Sequence, residues 1–132
     1  MNEEKKIKVV LLEPGKLART AEIDASLAGM QKVVGLIEPF YPFEEQVCIV
    51  CNEEGKINGM RPNRSVKNDE GVMVDFIFGP AFICDCRGEN LDSLSDEQID
   101  RYGKMFRYPE HLARVNDTLL GIPYRPQPEQ ER

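Results

Sequence analysis

One segment, residues 52–67, has the residue types and spacing to bind an anion. Its basic residues follow one another without an intervening acid, although the chain as a whole is acidic. Guanidinium groups and backbone N–H groups beside glycines hold phosphates and carboxylates through charge-assisted hydrogen bonds. Asparagines in the same segment suit both turns and ligand recognition. The candidate ligand- or partner-binding residues are therefore Asn52, Glu53, Lys56, Asn58, Arg61, Asn63, Arg64 and Lys67.

The same segment also fits a solvated loop without a ligand. Glu53 and Glu54 precede its basic residues, and Asp69 and Glu70 follow them, so neighbouring acids can neutralise the local charge. Exposed ion pairs of this kind contribute little to stability. The sequence leaves both interpretations open.

The cysteines form a CxxC pair and a CxC pair, and four thiolates can surround a zinc ion. The residues around the first pair are typical of a strand, in which side chains three positions apart face opposite sides. We therefore expect small buried cysteines, with structural zinc and redox activity as minor alternatives. No metal or other cofactor is predicted. The cysteines are Cys48, Cys51, Cys84 and Cys86.

Catalytic signatures are scarce in this chain. His111 is its only histidine and has no nucleophile motif beside it. Adjacent acids such as Glu53 and Glu54 do not reveal the separation or the pKa difference that acid–base catalysis requires. No catalytic residue is predicted, and a hydrolase that combines one of these acids with His111 ranks last among the possible functions.

Composition restricts the class of protein. A chain of 132 residues suits one domain with its own core. The net charge of -6 argues against direct binding of nucleic acid, which depends on clustered basic residues. No apolar run approaches the roughly 20 residues of a membrane-spanning helix, and Lys8 interrupts the first apolar run. We expect a cytoplasmic protein with reduced thiols.

Local signals predict most of the elements that must position these residues. Pro14 and Gly15 favour a turn between two strands, and Asp24 is placed to cap a helix with apolar residues at helical spacing. Prolines after that helix favour an extended linker or an edge strand. The predicted segments are a hairpin of Ile7–Leu12 and Leu17–Ile23, a helix carrying Leu27, Met30, Val34 and Ile37, and extended residues Glu38–Phe43.

Further strands are predicted on both sides of the candidate segment. Apolar and β-branched runs favour strands, and clusters of glycine and asparagine favour turns between them. Residues 61–68 are expected to form an ordered loop. The predicted strands are Gln46–Cys51, Ile57–Met60, Val72–Phe78 and Ala81–Cys86.

The C-terminal part of the chain is predicted to be helical and then disordered. Ser95 and Gln98 form a capping-box pattern at the start of a second helix. A further short helix is predicted for His111–Leu120, before a Pro-rich tail at residues 121–132 that cannot order itself. The sequence thus predicts a single α+β domain at residues 1–120, with a mainly antiparallel sheet of about five or six strands covered by one or two helices.

Several short motifs together resemble a known family. The motifs are VLLEPGK at residues 10–16, CNEEGK at 51–56 with NG at 58–59 and PNR at 62–64, Gly79 with Phe82-Ile83, and SLSDEQ at 93–98. Their combination resembles the uncharacterised family DUF3846, over most of the chain. This family is associated with phages, plasmids and conjugative elements, so the resemblance implies an accessory or counter-defence role. It supplies no established catalytic residues for this chain.

The function that we expect is binding. The preferred hypothesis is a non-enzymatic accessory protein of a phage or other mobile element that binds a host protein through residues 52–64. The alternative is a protein that sequesters a small anion, such as a nucleotide, with Lys56, Arg61, Arg64 and Lys67. The sequence does not predict the oligomeric state.

Overall fold

The computed structural model describes residues 5–127, along which nine strands and two helices are arranged. In chain order they are β1 (Lys6–Leu12), β2 (Arg19–Asp24), α1 (Leu27–Val34), β3 (Ile37–Phe40), β4 (Val47–Asn52), β5 (Pro62–Lys67), β6 (Met73–Phe78), β7 (Ala81–Asp85), α2 (Asp96–Met105), β8 (Glu110–Val115) and β9 (Thr118–Pro123).

The largest sheet of the described residues has five antiparallel strands in the order β2-β1-β7-β4-β3. Its inner strands β7 and β4 are almost entirely buried, as their continuous apolar runs predict. Two smaller sheets are the hairpins β5–β6 and β8–β9. The predicted α+β fold with a mainly antiparallel sheet is confirmed.

The two faces of the large sheet carry separate core layers. One face packs against α1, whose Met30 and Val34 are buried. The opposite face packs against α2 and the β5–β6 hairpin, which contribute Tyr102, Phe106 and Val66. The loops at the strand ends are therefore attached to a close-packed core. No helix among residues 5–127 has the length and apolar character needed to cross a membrane.

Glu45 fixes the segment before β4 to helix α2. Its carboxylate accepts hydrogen bonds from the Arg101 guanidinium at 2.8 Å, the Tyr102 hydroxyl at 2.7 Å and the Gln98 amide at 2.7 Å. The bond from Arg101, and next the bond from Tyr102, lower the pKa of Glu45 to about 2. The charged carboxylate is thus the form that the fold stabilises.

The lowered pKa of Glu45 predicts a loss of stability in acid. Its stabilising effect is fully present above the ordinary pKa of 4.5 and disappears as the pH falls through about 2. When the pH is lowered from about 6 to about 3, the wild type should lose about 1 kcal/mol more unfolding free energy than Glu45→Gln. The difference is modest because water screens this half-buried group. Urea unfolding at both pH values measures it, and equal losses would contradict the coupling.

The end of β2 and helix α1 differ from the prediction at two points. The helix cap is Ser26 rather than Asp24, because the Ser26 hydroxyl accepts the Gly29 N–H at 3.0 Å while the Asp24 carboxylate accepts the Ser26 N–H. Ile37 lies in β3 and not in the helix, because Gly35 ends α1 with a φ of 85°. Residues 38–40 of the predicted extended segment lie in the edge strand β3, one of the two predicted possibilities, and residues 41–43 follow the strand.

Two predictions around the candidate segment are wrong. Residues 57–59 lie in consecutive turns and Met60 follows them, so Ile57–Met60 is not a strand. Residues 61–68 were expected to form a loop, yet Pro62–Lys67 is strand β5, paired with β6. The strand is stabilised by buried polar contacts with distant parts of the chain, and such contacts leave no periodic signal in the sequence.

The predicted helix at His111–Leu120 is also wrong, because residues 110–123 form the hairpin β8–β9. Asn116 and Asp117 make its turn with φ values of 51° and 67°, a conformation that these residue types tolerate. Strand β9 continues to Pro123, so the first residues of the predicted tail are ordered and the predicted boundary after residue 120 falls within a strand. Residues 128–132 of that tail lie outside the described residues.

Candidate functional site

Residues 53–61, called here the displayed loop, connect β4 to β5. Backbone hydrogen bonds close the loop on itself: the Asn58 N–H donates to the Glu54 carbonyl at 2.8 Å, and the Met60 N–H donates to the Gly55 carbonyl at 3.1 Å. Gly55 is buried against the Phe78 carbonyl so closely that a side chain there would collide with it. The displayed loop is therefore a defined series of turns.

Asn52 ties the start of the displayed loop to helix α1. Its side-chain carbonyl accepts the Glu54 N–H at 2.7 Å, and its side-chain amide donates to the Val34 carbonyl at 2.8 Å. The Glu53 N–H also donates to the Leu36 carbonyl at 2.7 Å. The polar atoms of Asn52 are thus used by the protein itself, and this candidate residue orders the loop.

Arg64 lies inside the protein, with no exposed surface. Its guanidinium donates to the carbonyls of Phe106 at 2.7 Å, Lys16 at 2.6 Å, Glu13 at 3.2 Å and Arg107 at 3.3 Å. Two of these carbonyls belong to the β1–β2 turn and two lie at the end of α2, where helix carbonyls lack partners within the helix. Burial lowers the pKa of Arg64 to about 10, which leaves the guanidinium charged at neutral pH.

Asn63 is the second fully buried residue of the candidate set. Its amide donates to the Leu12 carbonyl at 3.0 Å and to the Gly79 carbonyl at 2.8 Å, and its side-chain oxygen accepts from Arg64. Together, Asn63 and Arg64 form a buried pair that fixes β5 to β1 and α2. A fully buried side chain cannot touch a partner of the folded protein, so neither residue is a contact residue.

Lys56 forms an ion pair with Asp75 of β6, with 2.7 Å between Nζ and Oδ1. Beside this pair lies a cavity of about 190 Å³ whose lining includes Glu38 and Glu53. Burial, with added effects of Glu38 and Asp75, raises the pKa of the Cys51 thiol in the same lining to about 11. With three acids and one base in its lining, the cavity does not favour an anion.

The basic residues of the candidate set point to different places. Lys56 lies at Asp75, whereas Arg64 is enclosed by carbonyls. Arg61 is exposed and lies against Gly15 of the β1–β2 turn. Lys67 lines a separate cavity of about 300 Å³ with Met105 and other residues. The structure therefore does not bring Lys56, Arg61, Arg64 and Lys67 together around one anion.

Ile57, predicted to lie in a strand, is the prominent feature of the displayed loop. Its side chain is 83% exposed, the largest value among the large apolar residues that are exposed in the described chain. Glu53, Lys56 and Asn58 are exposed around it. Its position between Gly55 and Gly59 is the signal that could have identified it, because glycines favour turns and turns run over the protein surface.

A groove between β2 and α2 is larger, at about 430 Å³, and lies away from the displayed loop. Its charged lining includes Arg19 and Lys104, which already pair with Glu13 and Asp100. Its lining contains both positive and negative side chains, so the groove shows no preference for one charge of ligand.

The four cysteines suggested for zinc are divided between the two faces of the sheet. Cys48 and Cys51 belong to the core layers on opposite faces of the sheet, so the cysteines do not surround one point. Residues 5–127 contain no group of three or more Cys, His, Asp or Glu side chains arranged to hold a metal ion. His111 stacks on Tyr124 with 4.0 Å between ring centres.

Comparison with known proteins places the chain in a family. The family model described as Domain of unknown function (DUF3846) matches residues 7–107, which include the displayed loop and the buried pair and end before β8. No curated protein and no solved structure matches the chain. Because the match covers most of the sequence and the motifs that form the loop and its support, the chain belongs to the DUF3846 family.

Proposed function

We propose that this chain is a non-enzymatic binding protein that contacts another protein through the displayed loop, with Ile57 at the centre of the contact. The observation that carries the proposal is the 83% exposure of Ile57 on a loop whose backbone is hydrogen-bonded at both ends. A large apolar side chain held away from the core gains free energy when a partner removes it from water.

The construction of the loop supports a role in recognition. Binding is weakened by the entropy lost when a flexible segment becomes ordered, and a preformed loop avoids much of that cost. Asn52 and Gly55 attach the loop to α1 and to β6 before any partner arrives. The fold thus presents Ile57 in one geometry.

The surroundings of Ile57 favour a protein partner over a small anion. Glu53, Lys56, Asn58 and Arg61 are exposed and offer both charges and an amide, the polar rim that surrounds the apolar centre of many protein interfaces. The alternative function, binding of a nucleotide or similar anion, requires several cations on one ligand. Those cations diverge here, and the cavity beside Lys56 is acidic.

The partner that we propose is a host protein of the cytoplasm, and the role is an accessory or counter-defence function of a phage or other mobile element. The motif resemblance described above supports this context. The proposed contact residues are the exposed loop residues Glu53, Lys56, Ile57, Asn58 and Arg61. Asn52 orders the loop, and Asn63 and Arg64 fix the strand β5 that follows it.

Quantitative affinity capture from bacterial lysate tests the proposal. The wild-type chain, Ile57→Asp and Leu27→Asp serve as baits, and Leu27 is the matched control because it is 58% exposed at the start of α1. We expect one protein to be enriched by the wild type and by Leu27→Asp and lost with Ile57→Asp. If every enriched protein is recovered equally by Ile57→Asp, the displayed loop is not the contact surface.

A further inference from the structure

Three cysteines lie together on one face of the central sheet, away from the displayed loop. Cys48 of β4 pairs directly across the strands with Cys84 of β7, and their sulfur atoms are 3.7 Å apart. Cys86 follows two residues later and belongs to the same core layer. Cys51 belongs to the opposite layer. All are free thiols.

The register favours one pair for a disulfide. Residues directly opposite in antiparallel strands have Cα atoms about 4.5–5.5 Å apart, which is within the range that a disulfide spans. Cys86 is diagonal to Cys48, and diagonal neighbours are about 7–8 Å apart, near or beyond that range. Only a modest approach of the two sulfur atoms is therefore needed to join Cys48 to Cys84.

The environment also distinguishes the thiols chemically. Hydrogen bonding from Cys84, and to a smaller extent from Cys86, lowers the pKa of the Cys48 thiol. The pKa of the Cys84 thiol is raised by the hydrogen bond between Cys84 and Cys48 and by burial. The thiolate is the nucleophile in reactions with oxidants, and Cys48, which lies against Cys84 and near Cys86, is the sulfur that we assign to this role. Cys48 and Cys84 are both fully buried, so peroxide reaches them when the cluster opens locally. The half-buried Cys86 marks the end of the cluster that is nearest to solvent.

We propose that Cys48 and Cys84 form an oxidant-responsive dithiol site, which a small peroxide converts into a disulfide between β4 and β7. The Cys48 thiolate attacks one oxygen of hydrogen peroxide, the O–O bond breaks, and the departing hydroxide takes up a proton to become water. Cys84 then attacks the Cys48 sulfenic acid, the S–O bond breaks, and hydroxide leaves with the Cys84 proton as a second water. The thiols lose two electrons and two protons, which the peroxide gains.

Peptide mapping after peroxide treatment tests this site. The folded protein is exposed to hydrogen peroxide, its remaining thiols are alkylated in denaturant, and it is cleaved with trypsin without reduction. Before alkylation, the mass of the intact protein should fall by about 2 Da, because disulfide formation removes two hydrogen atoms. A disulfide should then link the tryptic peptides 33–56 and 68–87, which contain the cysteines of the two strands.

Single variants decide which sulfur atoms are joined. The linked peptides should form in Cys51→Ser and Cys86→Ser and be lost in Cys84→Ser, with circular dichroism and a Cys84→Ala variant as checks that folding is retained. Linkage that persists in Cys84→Ser and disappears in Cys86→Ser or Cys51→Ser would overturn the proposal. Wild-type protein that stays unlinked, or whose cysteines carry only added oxygen, would overturn it as well.

Discussion

Replacing Arg64 with alanine is expected to lower the unfolding free energy by about 3–5 kcal/mol. The substitution removes the donor for four backbone carbonyls and for the side chain of Asn63. Those acceptors would remain in the interior, together with a cavity the size of the lost side chain. Urea unfolding of the purified variants measures the change.

Two variants serve as controls for this prediction. Arg61→Ala removes the same side chain from an exposed position of the same segment, and its effect should stay within about 0.5 kcal/mol. Arg64→Lys keeps the positive charge but lacks the planar fork that reaches several carbonyls, so it should recover little of the stability. An Arg64→Ala protein as stable as Arg61→Ala would contradict the structural role of the buried pair.

Replacing Ile57 with aspartate is expected to weaken binding of the captured partner at least about thirty-fold, which corresponds to roughly 2 kcal/mol. The change removes the apolar centre of the contact and places a charge where the partner excludes water. The unfolding free energy should change by less than about 0.5 kcal/mol, because the side chain is 83% exposed. Calorimetric titration and urea unfolding give the two quantities.

The two measurements together separate binding from folding. Leu27→Asp places the same charge on another exposed apolar position and should leave the affinity unchanged. Arg64→Ala should weaken binding only to the extent that it unfolds the protein. Tight binding by Ile57→Asp, at the wild-type affinity, would remove Ile57 from the proposed interface.

Elements with strong local signals could be predicted from the sequence. The Pro14-Gly15 turn identified the β1–β2 hairpin, and the apolar runs identified β4 and β7. The capping box at Ser95 and Gln98 is present in both directions, as predicted. Each of these signals is contained within a few neighbouring residues, which is why no knowledge of the tertiary fold was needed.

Elements that depend on distant contacts could not be predicted in the same way. The backbone of β5 is fixed by Arg64, whose partner Phe106 is 42 residues away in sequence. Without that contact, the segment from Arg61 to Asn68 has the composition of a loop. The hairpin β8–β9 is different, because its Asn116-Asp117 pair is a local turn signal that favours a hairpin over the predicted helix.

The candidate segment contains both exposed turns and a largely buried strand, and residue types alone do not distinguish the two. Charged side chains were expected to be at the surface, since arginine is almost never fully buried unless its charge is satisfied. Carbonyls from the end of α2 and from the β1–β2 turn accept the hydrogen bonds of the Arg64 guanidinium, and this charged side chain is therefore buried. Ile57 departs from the tendency of large apolar side chains to lie inside, so residue type alone does not predict its exposure.

Amide hydrogen exchange of the protein, alone and bound to the captured partner, tests whether the displayed loop is the contact surface, since it locates the contact without changing the sequence. We expect slower exchange on binding at residues 53–61, with smaller changes at β6, which adjoins the loop through Asp75. Slower exchange confined to the β8–β9 hairpin or to the groove between β2 and α2, with the displayed loop unchanged, would contradict it.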